Sequence, residues 1–391
     1  MTRGGETSLT ASKDPDINHI LQVAIKGGAS DIHLKAGLPP MFRVDGSLLP
    51  LRDAPRLTPE GLQRVVQMIM NAAQREAFAR DFEIDLAYGV AGVGRFRVNA
   101  FHQRGVPGMV FRVIPYRIMG IDQLLLPKVV AKIAEEARGL VLVTGATGSG
   151  KSTTLAAMID HINSTRSEHI VTIEDPIEFL IRDKRSVINQ REVGTDTKSF
   201  AAALRSSLRQ DPDVILVGEM RDQETIATAL AAAETGHLVL STLHTVDAVD
   251  TVNRIVNVFP PHQQKQIRML FAAQIRGVIC QRLVPKADGR GRVPALEVMV
   301  GTGRVRELLL QEEGHLELRD TIAKGHIAYG MQTFDQSLMA LLKNGHITYE
   351  EAMAQSSNPD DFALKASGID AAGGGWDGFD QRDDDSLELD R

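Results

Sequence analysis

A chain of 391 residues, 43% hydrophobic and 24% charged, is long enough to bury two ordinary cores. Its formal net charge of -6 sets up no global basic field, which argues against a nucleic-acid partner. The single cysteine, Cys280, excludes an internal disulfide and a Cys-built zinc site, and it fits a reducing compartment.

The opening residues, "MTRGGETSLTASKDPD", have no apolar core of a signal peptide and read as a loose tail over residues 1–16. "INHILQVAIKGG", residues 17–28, carries apolar positions at helical spacing and stops at a Gly pair. "SDIHLKAG" and "PPMFRVDGSLLPL" read as short strands, and "GLQRVVQMIMNAAQREAFARDF" as amphipathic helix. "IDLAYGV", "GRFRVNAFHQRG" and "GMVFRVIPY" then predict an antiparallel meander joined by Gly-containing turns. Together these make an α+β domain over residues 17–114, followed by a linker over 115–127. After Pro127 the pattern becomes "LVLVTG", "HIVTIED", "VILVGE" and "HLVLSTLH" alternating with helices. Such strands are apolar on both faces, as buried parallel strands are, and predict a doubly wound α/β domain over residues 128–357. From about residue 262 the chain reads as mainly helical, and residues 358–391 as an acidic, Gly-rich tail. No apolar run is long enough to span a bilayer, so a soluble or peripheral protein is expected.

The most informative stretch is "GATGSGKS", Gly145 to Ser152, which fits G-x-x-x-x-G-K-[ST] between a predicted strand and a predicted helix. Gly145, Gly148 and Gly150 let backbone N–H groups turn inward around phosphate oxygens; Thr147, Ser149 and Thr153 belong to the same grip. The helix that begins near Lys151 adds its positive end, Lys151 reaches the β- and γ-phosphates, and Ser152 offers a hydroxyl to Mg2+. A carboxylate at the end of a neighbouring strand completes such a site, and "DPDVILVGEMRD" supplies Glu219 there. "HIVTIEDPIEF" offers Glu174, Asp175 and Glu178 at the same edge; spacing alone does not choose a general base among them. His237 and His244 bracket a strand at a spacing wrong for zinc, and read equally as capping residues or as sensors of the phosphates. Arg95, Arg97 and Arg112 alternate with apolar residues in the first domain; they form either a solvated basic face or arginine fingers supplied to a neighbouring subunit.

Taken in order, "GLVLVTGATGSGKSTTLAAMID", "IVTIEDPIEF", "NQREVGTDTKSF", "LRQDPDVILVGEMRD" and "ETGHLVLSTLHT" resemble the PilT/PilU retraction ATPases of the type II/IV secretion superfamily. "GGASDIHLKAGLPPMFRVDG" and "GRFRVNAF" extend the resemblance over residues 17–357. It implies a PAS-like N-terminal domain, a RecA-like ATPase domain and a homohexameric ring at the cytoplasmic face of the inner membrane. ATP with Mg2+ would be hydrolysed there to withdraw a pilus, with the pilus platform protein and a paralogous retraction ATPase as partners. By motif, Lys151 is the Walker A lysine, Glu219 the Walker B glutamate and Glu178 the catalytic glutamate. The same carry-over makes His237 and His244 a nucleotide-sensing pair, and Arg97 and Arg112 arginines directed at a nucleotide. The family's Ala-Ile-Arg-Asn-Leu-Ile segment is "RVRELL" here, Arg304 to Leu309, with Val305, Leu308 and Leu309 expected on the core side and Arg304, Arg306 and Glu307 outside.

Other functions fit less well. Assembly and secretion ATPases of the superfamily carry a Cys-rich zinc module that a chain with Cys280 alone cannot build. An ATP-switched binding module would do without a catalytic base, yet Glu178 and Glu219 are both present. The chain has neither the Asn-Lys-x-Asp reader of a GTPase nor the basic, aromatic-studded stripe of a nucleic-acid motor.

Overall fold

The computed structural model describes residues 16–44, 46–115, 117–311 and 314–368. The expected N-terminal tail, Asp16 apart, and residues 369–391 of the expected acidic tail lie outside them. The chain divides into two units, Met1–Tyr116 with Glu178–Leu180, and Arg117–Ile177 with Ile181–Arg391.

In the first unit, the helix Ile17–Lys26 starts where the Asp16 carboxylate accepts the His19 N–H, and it buries Ile17, Ile20, Leu21 and Ala24. Six strands follow: β1 (Asp31–Leu34), β2 (Met41–Val44), β3 (Ser47–Pro50), β4 (Glu83–Val90), β5 (Gly94–Gln103) and β6 (Val106–Ile114). They form one antiparallel sheet in the order β3-β2-β1-β6-β5-β4, so the expected meander of β4, β5 and β6 is one half of it. On β5, Phe96, Val98 and Ala100 point into the core while Arg97 and Asn99 are exposed, the period of two that a half-buried strand requires. The amphipathic stretch between β3 and β4 is not one helix but two, Pro59–Ile69 and Ala72–Asp81. Met70 is extended, and Asn71 opens the second helix by a capping box in which its side chain takes the Gln74 N–H and Gln74 returns the bond. That reciprocal bonding satisfies N–H groups that an uninterrupted helix would have paired, so the break is stable.

The second unit holds β7 (Gly139–Thr144), β8 (His169–Glu174), β9 (Val187–Glu192), β10 (Val214–Val217), β11 (Leu238–Leu243), β12 (Ile275–Pro285) and β13 (Arg292–Val300). Their order is β13-β12-β7-β11-β10-β8-β9, parallel except for the β12–β13 hairpin. Alternate residues of one strand serve separate cores: Leu140 and Leu142 join Ile215, Val217 and Val239, while Val141 and Val143 join Val214, Leu216, Leu238 and Leu240. Burial on both faces is why these strands are continuously apolar.

Three expectations change here. The helix Pro261–Gln274 stops short of the longer helix expected, and Ile275 begins β12. β12 is buried on both faces, and a doubly buried segment has no period by which to tell strand from helix. The expected linker is packed, with Ile121 and Leu126 buried beside Val129 and Val130. Packed chain also continues past residue 357, where the acidic tail was placed: Pro359–Ala366 is a helix that buries Phe362.

The helix Gly303–Leu310 buries Val305, Leu308 and Leu309 as expected. Arg304 pairs with Glu317 at 2.7 Å, and Glu307 is exposed. Arg306, by contrast, is half-buried, and its Nε is enclosed with no hydrogen-bond partner among the described residues. Its charge acts on Arg276, whose guanidinium is held below its ordinary pKa first by burial and then by Arg306.

Candidate nucleotide site

β7 is buried at every position and delivers the chain to Gly145 at φ +140°. A Cβ on Gly145 would strike the Gln281 carbonyl and stand 2.7 Å from Ser149 Oγ, so only glycine fits this turn. At Gly148, φ is +79° and nothing lies within 4 Å of where a Cβ would stand. The loop therefore faces open space at Gly148 and packed protein at Gly145, the arrangement a phosphate cradle needs. The helix Lys151–Thr165 follows with no side-chain cap, which leaves its first-turn N–H groups available to an anion. The Lys151 ammonium donates to the Gly145 carbonyl at 2.8 Å and the Ala146 carbonyl at 3.1 Å, so it folds over the mouth of the loop. Thr147 is exposed and Ser152 and Thr153 are half-buried, whereas Ser149 Oγ is enclosed with no hydrogen-bond partner among the described residues. Loop, helix end and lysine together fit a polyphosphate.

β11 lies between β7 and β10, so the carboxyl ends of these three strands stand side by side. Glu219 follows the end of β10 and His244 the end of β11. Glu219 Oε1 is 3.3 Å from His244 Nε2 and 2.5 Å from Arg221 Nε. Burial raises the Glu219 carboxyl pKa, but the Arg221 hydrogen bond and the His244 charge outweigh it, and the net value lies below the ordinary one. Glu219 is therefore an anion at neutral pH, as a metal-facing carboxylate must be. The turn that presents it is pinned: Gly218 N–H donates to the Ile173 carbonyl at 2.7 Å, and Thr242 Oγ1 donates to the Gly218 carbonyl at 2.6 Å. Among the described residues no group of three or more His, Cys, Asp or Glu converges as a ready-made metal site. The donor set available to Mg2+ is a hydroxyl from Ser152, the Glu219 carboxylate and phosphate oxygens, which suits an ion that prefers few protein ligands.

Of the acids after β8, Glu174 accepts hydrogen bonds from Thr172 Oγ1 at 2.6 Å and Gln190 Nε2 at 3.1 Å, which commits it to the sheet. Asp175 and Glu178 are exposed. The loop carrying Glu178 is fixed just before it, where buried Glu192 accepts the Ile177 N–H at 3.1 Å. Glu192 was not legible as part of the site, because β9 itself was missed.

His237 requires a correction. It stands at the amino end of β11, and β11 runs parallel to β7 with Leu238 opposite Gly139 and Leu243 opposite Thr144. Six residues at about 3.3 Å each put His237 roughly 20 Å from the phosphate loop of its own chain. Its Nδ1 lies 2.8 Å from the Ala232 carbonyl, so it caps the helix Gln223–Glu234 and does not bind this subunit's nucleotide. Of the two histidines, only His244 reaches the site edge.

Arg97 and Arg112 lie in the first unit, opposite one another on β5 and β6. Arg97 is exposed; Arg112 Nε donates to Asp31 Oδ1 at 2.9 Å. Burial raises the Asp31 carboxyl pKa, the Arg112 bond lowers it, and the net shift is downward.

Gln281 is a further residue at the site, one that no motif in the sequence marks. It is buried on β12, and its amide reaches Ser149 and Thr154 on either side of Lys151. A lone amide within an apolar strand is the signal that could have found it.

The family model described as "Type II/IV secretion system protein" matches residues 7–370. The chain is 48% identical over 347 residues to the Pseudomonas aeruginosa protein named "Type IV pilus retractation ATPase PilT", covering 89% of this chain and 100% of that one. It is 42% identical over 349 residues to the "Type IV pilus ATPase PilU" of the same organism, covering 89% and 91%. A crystal structure of the pilus retraction motor PilT with bound ADP superposes with a TM-score of 0.79 at 49% identity, over 88% of this chain and 98% of that one. Both the phosphate loop with its acids and the match along nearly the whole described chain lead to one conclusion: this chain belongs to the type II/IV secretion system protein family.

Proposed function

We propose that the chain is the ATP-hydrolysing motor that withdraws a type IV pilus, working as a homohexamer on the cytoplasmic side of the inner membrane. The observation that carries this reading is the row of phosphate loop, His244 and Glu219 along one edge of a parallel sheet, in a chain that matches a retraction ATPase end to end. Identity is higher to the PilT relative than to the PilU relative, 48% against 42%, which favours the main motor over an accessory paralogue. The first unit, an antiparallel sheet with helices, is read as PAS-like and the second as RecA-like. No helix of the described residues is long and apolar enough to cross a membrane, so attachment would run through the pilus platform protein.

In this reading, Lys151 and the backbone N–H groups from Gly145 to Ser152 hold the β- and γ-phosphates, and Ser152 and Glu219 hold Mg2+. The metal supplies charge neutralisation on the phosphate oxygens. His244, bonded to Glu219, keeps that carboxylate oriented. Glu178 takes the proton of the attacking water. Arg97 and Arg112 complete the charge set across subunits.

A phosphate-release assay tests this. Hydrolysis should need Mg2+, stop with a chelator, and rise per subunit as protein concentration favours the ring. Mixing Arg97→Ala with Lys151→Ala subunits should recover activity that neither has alone. Turnover that is independent of metal, or flat across a monomer-to-hexamer dilution series, contradicts the reading.

A further inference from the structure

We infer that Gln281 is a positioning residue for the nucleotide: it clamps the phosphate loop to the β12–β13 hairpin and holds the Lys151–Thr153 segment ready for phosphates. The inference rests on the ATPase reading of this site, and every residue it involves lies in the second unit.

The Gln281 side chain makes two bonds in opposite senses. Its Nε2 donates to the Ser149 carbonyl at 2.7 Å, and its Oε1 accepts from Thr154 Oγ1 at 2.7 Å. Ser149 is in the loop and Thr154 is in the helix that follows it. The two anchors therefore straddle Lys151, Ser152 and Thr153, the residues whose N–H groups, ammonium and hydroxyl meet phosphates and metal. A single rigid amide fixes the loop and the first turn of the helix relative to each other.

The backbone of the same residue closes the other side. The Gln281 carbonyl occupies the space where a Cβ on Gly145 would stand, and Gln281 Nε2 lies 2.7 Å from where a Cβ on Gly150 would stand. Both glycines have a positive φ that already disfavours a side chain, and Gln281 also fills the space a Cβ would need at each. Register explains the placement: β12 runs parallel to β7 with Cys280 opposite Thr144, so Gln281 follows on β12 where Gly145 leaves the end of β7.

Burial gives the bonds weight. Gln281 is 3% exposed and Thr154 1% exposed, so neither polar group has ready access to water if the other is removed. The neighbour Arg282 carries the linkage outward, donating to the Gln355 carbonyl at 2.8 Å and lying 4.0 Å over the Phe334 ring. The grip on the loop and the C-terminal helices are therefore held by successive residues of one strand.

A preorganised loop binds phosphates without having to order itself first. Loss of the clamp should weaken nucleotide binding more than it slows the chemical step. Using purified full-length chain and a fluorescent ATP analogue, Gln281→Leu should raise Kd and KM for ATP about tenfold and leave kcat within about threefold. Gln281→Glu keeps the length and can still accept from Thr154, but it loses the donor to Ser149, so it should show a similar rise even if Gln281→Leu fails to fold. Thr154→Val should weaken binding, Thr154→Ser should restore it, and Gln281→Leu combined with Thr154→Val should be no worse than Gln281→Leu alone, because one bond is shared. A lowered melting temperature with unchanged Kd and KM would mean that Gln281 only supports the fold, and would overturn the proposal. A fall in kcat with unchanged Kd would overturn it too. A wild-type chain that binds ATP without hydrolysing it would count against the motor reading, yet the binding arm would still decide the role of Gln281.

Discussion

Lys151 and Glu178 should separate binding from chemistry. Lys151 would meet the phosphates in the ground state and the transition state alike, so Lys151→Ala should lose nucleotide affinity along with turnover. Glu178 is an exposed carboxylate on a loop pinned at Ile177, and in the proposed function it acts on the attacking water alone. Glu178→Gln should keep ATP affinity within about threefold and lower kcat by about a hundredfold or more. Equal loss of affinity in both variants, read by equilibrium binding, contradicts the assignment. Glu297 offers a residue-scale test away from the chemistry. It is buried on β13 and accepts the Ala248 N–H at 2.8 Å. Burial pushes its carboxyl up to about 7, against the downward pull of the Ala248 bond, with the Asp247 charge adding to the rise. An unfolded Glu ionises near 4.5, so the folded chain holds a proton that the unfolded chain has released. Stability from this group is therefore full below about pH 4.5 and is lost as pH rises to about 7, by up to about 3 kcal/mol. Glu297→Gln, which stays neutral, should lack that loss in denaturant melts at pH 5 and pH 8. Parallel changes in the two proteins would contradict the account.

Elements were legible in proportion to how one-sided their environment is. The helix Ile17–Lys26 and strand β5 each bury one face, and their periods of 3.6 and 2 stand in the sequence. β7, β8 and β10 are legible because short apolar runs end in Gly or acidic residues, and β11 because its apolar run follows Gly236 and ends at His244. β12 reads as helix because its burial on both faces erases the period, and β9 is hidden because its "VINQRE" looks like surface. The same two misses hid Gln281 and Glu192, so the errors about elements became errors about the site. His237 was misplaced for a different reason: a motif names residues, while strand direction decides which edge they occupy. The break at Asn71 is a cap signal inside an apolar pattern that otherwise reads as continuous. Asn71→Ala should remove the side-chain half of the capping box and destabilise the first unit by about 1 kcal/mol, measured by chemical denaturation. A change below about 0.3 kcal/mol would show that packing alone sets the two helices.

On the scale of the whole molecule, the chain pairs an antiparallel unit that carries exposed Arg97 with a parallel unit that carries the phosphate loop. Its match to a retraction ATPase covers 89% of this chain and the whole of that relative. The direction of pilus movement decides what the hydrolysis is for. The most direct measurement replaces the chromosomal gene with the Glu178→Gln form and scores twitching motility and surface pili in the same cells. The account predicts lost twitching with surface pili retained or increased, because pili are still built and are no longer withdrawn. Loss of both twitching and pili would make the chain an assembly motor, and normal twitching would remove it from pilus movement altogether.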